Sequence, residues 1–97
     1  MIPKTVNICG IPHSVILCED SFDTDLHLGQ ISYASATIKI NKNASEAMQM
    51  QSLFHEMLHG MLIQIGRNEE SADECFVQSL SNAMYQSFQI KAEEGES

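Results

Sequence analysis

The sequence predicts an α+β fold in which a small antiparallel sheet of three or four strands packs on two helices. Three observations predict it. Short runs rich in β-branched residues are confined to the first forty or so positions; a stretch of about twenty residues from Asn43 to Gly66 carries apolar side chains at helical spacing; and a second such stripe runs from about Ser71 to Gln89. A chain of 97 residues has room for one core, so residues 1–97 are read as a single domain, with about 90–97 as a flexible acidic tail.

The elements follow in order. TVNICG and HSVILCED hold β-branched and apolar residues, and GIP between them supplies turn chemistry, which predicts a hairpin. SFDTDLHLG is polar and acidic and reads as a loop. QISY and ATIKINKN form two more short strands, the second alternating Ile38 and Ile40 with Lys39 and Asn41. Asn43 and Glu46 then have the spacing of a capping box, and Gly66 stands where a glycine ends a helix. Between them Phe54, Leu58, Met61 and Ile65 form a core stripe, and Leu53, Met57, Leu62 and Ile63 extend the apolar surface around most of the helix, which makes it central. The connection RNEE leads to the second helix, whose Val77, Leu80, Met84 and Phe88 share a face; so short a link favours antiparallel packing.

Composition narrows the function classes. No apolar run approaches the roughly 18–20 residues that cross a bilayer, and MIPKTVNICG lacks the apolar core of a secretory signal, so no membrane is implied and the cytoplasm is expected. The formal charge of −8 argues against a phosphate backbone as partner, so no nucleic acid is expected. Cys9, Cys18 and Cys75 make an odd count with no CxxC spacing, which predicts free thiols, Cys75 in the core. No feature sets an oligomeric state.

Chemistry enters at LFHEMLHGML, residues 53–62. His55 and His59 project from one helix face a turn apart and can converge on one zinc ion, Zn2+, with Glu56 beside that face as a candidate general base. Ionisable groups in so apolar a helix are costly without a partner, and a metal would supply one. The bland alternative places the three residues on a solvated strip. Catalytic zinc commonly takes three protein ligands, and the cluster Glu69, Glu70, Asp73 and Glu74 offers the third. Glu74, on the stripe with Val77, Leu80, Ser81 and Met84, is the first choice, Glu70 the second and Asp73 the third. Against Glu74 stands the SxxE spacing of Ser71 and Glu74, which could use that side chain as a helix cap. His13 and His27 read as surface residues, and Tyr33, Tyr85 and His27 are equal candidates for stabilising an oxyanion.

HEMLHGM, the preceding ATIKINKN and the following ECFVQSLSNAMYQ together resemble small metallopeptidase-like proteins of phages and prophages and, more distantly, the ImmA/IrrE group. The resemblance covers roughly residues 36 to 86. In that group the HExxH helix is followed by a helix of pattern ExxAxxFAxxLL whose glutamate completes the zinc site, and Glu74 takes that place here. Val77 and Ser81 stand where alanines are usual, and Leu62 excludes the longer HExxHxxGxxH pattern.

The resemblance implies a minimal zincin-like, gluzincin-like domain. It would be a zinc metallopeptidase with His55, His59 and Glu74 as ligands and Glu56 as base, acting in a bacterial host cell on a phage or host regulatory protein. It also implies an edge strand along the cleft that takes up an extended peptide, for which residues 36–40 are the candidate. The alternative from another class is a non-catalytic, zinc-stabilised module that binds a partner protein.

Overall fold

A computed structural model describes residues 2–18 and 29–90 and bears out the α+β class. Most of the loop expected at SFDTDLHLG, His27 included, and residues 91–97 of the expected tail lie outside the described residues. Ile90, placed in the tail by sequence, packs against the core instead.

The expected hairpin forms from β1, Thr5–Ile8, and β2, Ile11–Cys18. Its turn is Cys9-Gly10, both at positive φ, so Ile11 and Pro12 of the expected GIP turn already belong to the second strand. A two-residue turn of this kind matches the right-handed twist of the strands it joins. Two further strands, β3 at Gly29–Ser32 and β4 at Thr37–Asn41, pair antiparallel, and the sheet order is β1-β2-β4-β3.

Two sequence expectations are corrected by this order. The sheet is mixed, because β2 and β4 run parallel, Val15 opposite Ile38 and Leu17 opposite Ile40. The chain reaches the outer strand β3 before β4 fills the place beside β2, and alternation within a strand marks its buried face without setting its neighbour's direction. ATIKI is therefore an internal strand bonded on both sides, and the edge falls to β3.

The long helix α1, Glu46–Gln64, begins at Ser45, whose Oγ accepts from the Met48 amide at 3.2 Å. Asn43 is not the cap; its amide donates to Asn41 Oδ1 in the turn before. At the other end Gly66 takes the predicted role: its N–H donates to Ile63 O and that of Arg67 to Leu62 O, closing the last turn. The helix is central, as expected. Leu53 and the half-buried Met50, Met57 and Met61 pack toward Ile8, Ile38 and Ile40 of the sheet, while Leu58 and Leu62 pack with Val77 and Met84 from the C-terminal part.

The second helix is two. α2 covers Asn68–Ala72 and α3 covers Glu74–Ser87, with Asp73 between them in an extended conformation. Asp73 Oδ1 accepts from the Phe76 amide at 3.1 Å, so a competing cap breaks the helix where helical periodicity runs on. Leu80 and Phe88, expected on the packing face, are exposed, as are Ile65 and Cys75. His13, expected at the surface, is buried on the core face, its Nδ1 donating to the Ile11 carbonyl.

Gly60 sets the distance between α1 and the sheet. A Cβ there would lie 3.0 Å from Ile8 Cδ1 and 3.1 Å from Ile31 Cδ1. Gly60→Val should cost about 2–3 kcal/mol in chemical denaturation, because buried Ile8 has no room to yield, even though leaving glycine favours the helix.

Candidate metal centre

Helical spacing does for His55 and His59 what it predicts. Both rings leave the same face of α1, their centroids 4.9 Å apart, and the Nε2 atoms approach to 3.2 Å. Glu74, the first residue of α3, reaches back across the interface between the helices: Oε1 lies 3.2 Å from His55 Nε2 and Oε2 lies 3.3 Å from His59 Nε2. Among the described residues these three form a group able to hold a metal ion. The Asp73 cap is what frees Glu74, since α3 starts on the aspartate and leaves the glutamate's side chain to the site.

The other acidic candidates go elsewhere. Glu70 sits 3.9 Å from Arg67 on α2, and Asp73 is held by its own helix.

The donor atoms have the dimensions of a metal site. A tetrahedral zinc with bonds of about 2.0–2.1 Å separates its ligand atoms by roughly 3.3 Å; the two Nε2 atoms are 3.2 Å apart, each faces its own oxygen of Glu74 at 3.2 and 3.3 Å, and one ligand atom from each residue gives a set within 4.8 Å of one another. Burial, and then the neighbouring His59, hold His55 below the usual histidine range, which keeps a ring lone pair available to a cation. Each ring also has an outer partner. Ser71 Oγ, buried in α2, lies 3.0 Å from His59 Nδ1, and Gln78 of α3 hydrogen-bonds the His55 ring. Gln78 is tied in turn to Asn82, which also accepts from Gln51 of α1. Such partners fix ring orientation and tautomer at metal sites.

Around this group lies a cleft of about 720 Å³. Its floor is His55, Glu56 and His59; one wall is the edge strand β3 with Tyr33, and the other is Glu74 and Gln78. No lysine or arginine lines it among the described residues, so its field favours a cation. Glu56 is nearly buried beneath the edge strand, where Gly29 makes the close approach possible: a Cβ there would lie 3.3 Å from Glu56 Cγ.

Burial first, then the Glu74 carboxylate, push Glu56 up from 4.5 to about 7. The sign of the consequence for the metal-free chain is fixed by linkage. A folded-state pKa above the unfolded one gives stability that is full below about pH 4.5 and is lost as pH rises through about 7. Glu56→Gln should remove that loss, so that wild type falls behind the variant by up to about 3 kcal/mol between pH 4.5 and 8. Parallel urea titrations of both chains in chelator measure it.

Sequence reasoning named the three clustered side chains and Glu56 but missed Ser71 and Gln78 as partners of the histidines. Gln78 stands one helical turn after Glu74, and that spacing was the available signal. Of the tyrosines, Tyr33 is in the cleft, while Tyr85 packs edge to face on Phe54 with centroids 6.2 Å apart. His27 lies outside the described residues.

No protein-family model, curated protein or solved structure matches the chain. No helix among the described residues is long and apolar enough to cross a membrane.

Proposed function

We propose that the chain is a zinc-dependent peptidase in which His55, His59 and Glu74 hold the ion and Glu56 is the general base. One observation carries the reading: two imidazoles and a carboxylate converge as a group able to hold a metal ion beside a buried carboxylate, in a cleft bordered by β3, the strand that ends the sheet among the described residues. Two His and one Glu are a known ligand set of hydrolytic zinc and leave a coordination position open. Zinc bound there would acidify water and polarise a carbonyl oxygen.

The chain's own groups supply the rest. Glu56 takes a proton from the water as its oxygen bonds to the carbonyl carbon, then gives it to the departing amine nitrogen as the C–N bond breaks. An extended peptide adds to the sheet along β3, with Gly29, Gln30 and Ile31 at the cleft, rather than along residues 36–40. The likeness to phage metallopeptidase-like proteins supports a regulatory protein as substrate and a bacterial cytoplasm as the setting.

The ligand set also occurs with iron(II) in oxygenases. Glu56 next to the site favours hydrolysis and hence zinc. Elemental analysis together with a peptide-library digest tests both halves of the reading: zinc at one equivalent with cleavage is expected, and iron or no cleavage would sink it. A second reading, a zinc-stabilised binding module, has its support in a site that ties α1 to α3. Its mark is unfolding on chelation with no peptide cut.

A further inference from the structure

Tyr33 lies in the turn between β3 and β4, half exposed, in the wall of the cleft that holds His55, Glu56 and His59. Ser71 lies close enough to its hydroxyl to act on the phenol, and Ser71 Oγ is 3.0 Å from His59 Nδ1, so a chain of bonds from ring to phenol is within reach. The direction of this chain of bonds follows from the other side of the imidazole. His59 Nε2 faces His55 Nε2 and Glu74, and to act as a ligand it must offer its lone pair there. The ring proton then sits on Nδ1 and donates to Ser71 Oγ. Ser71 turns its own proton to the Tyr33 oxygen, and the Tyr33 O–H is left to donate into the cleft.

We infer that Tyr33 is a catalytic residue of this site, its hydroxyl donating a hydrogen bond to the carbonyl oxygen of the scissile peptide as that oxygen gains negative charge. The inference rests on the peptidase reading. It adds no bond made or broken at Tyr33: the water oxygen bonds to carbon, the π pair moves onto the carbonyl oxygen, Glu56 takes the proton, and Tyr33 stabilises the oxygen that has become negative. Burial, then the Glu56 and Glu74 carboxylates, outweigh the Ser71 bond and hold the phenol above its ordinary pKa, so it keeps the proton it must donate. Tyr85, the other tyrosine, is turned to Phe54.

The test uses the zinc-loaded chain and a peptide that wild type cleaves. Tyr33→Phe keeps the ring and removes the donor; kcat should fall roughly 10²- to 10³-fold with KM within about threefold and zinc content unchanged. Tyr85→Phe should leave kcat within about twofold. Ser71→Ala should lower both kcat and zinc affinity, the latter about 10- to 100-fold, because it strips the His59 ring of its partner. If Tyr33→Phe retains wild-type kcat, or loses zinc, the role assigned to Tyr33 is overturned and the peptidase reading stands. If zinc-loaded wild type cleaves no peptide, both are overturned.

Discussion

Replacing His55 with alanine is expected to weaken zinc binding by well over a hundredfold, and Glu74→Ala should do the same. Loss of an outer partner typically weakens a metal site 10- to 100-fold, and in the proposed site these substitutions would remove direct ligands. Among the described residues the other acidic candidates are engaged elsewhere. Glu70 is engaged with Arg67, and Asp73 caps α3. Glu70→Ala should therefore leave affinity within about threefold. Asp73→Asn keeps a capping side chain and should behave likewise. Competition titration against a chromogenic chelator measures all four. Retention of zinc by Glu74→Ala, with loss in Glu70→Ala, would move the third ligand to α2 and dissolve the geometry proposed for the site.

Glu56→Gln carries the second large effect. The amide keeps the size of the carboxylate but cannot take a proton, so peptide cleavage should drop by about 10²- to 10⁴-fold while zinc stays at one equivalent. Peptide turnover and metal content, measured on one preparation, separate lost chemistry from a lost site. Cleavage at the wild-type rate in Glu56→Gln would remove the base from the mechanism. The same substitution raises metal-free stability at high pH, so a variant that is more stable and less active is the expected signature of a buried carboxylate kept for reaction.

How far the residues announced this can be said element by element. His55, Glu56 and His59 were legible because their relation is internal to one helix, where a spacing of four fixes direction. Glu74 was legible as a member of the stripe that includes Val77, but its competing use as a cap could be resolved only by seeing Asp73 take that duty. The sheet was legible strand by strand and not as a whole: alternation in ATIKI buries Ile38 and Ile40 equally well in an internal or an edge strand. Ser71 and Tyr33 join the site through contacts between separate elements, and no local pattern marks them, whereas Gln78 had only its place one turn after Glu74 as a signal. His13 and Cys75 show the limit of residue-type expectations. A histidine with a carbonyl two residues away can be buried at little cost, and a cysteine at the second position of α3 simply faces water.

The reach of Glu74 from α3 back to α1 has a further consequence when an ion joins them. The metal becomes a cross-link, closing the segment from His55 to Glu74 into a ring and restricting the unfolded chain as a disulfide would. Its three cysteines are unpaired, so this small chain's removable staple would be the ion itself, and its working life in a cell would track the supply of free metal.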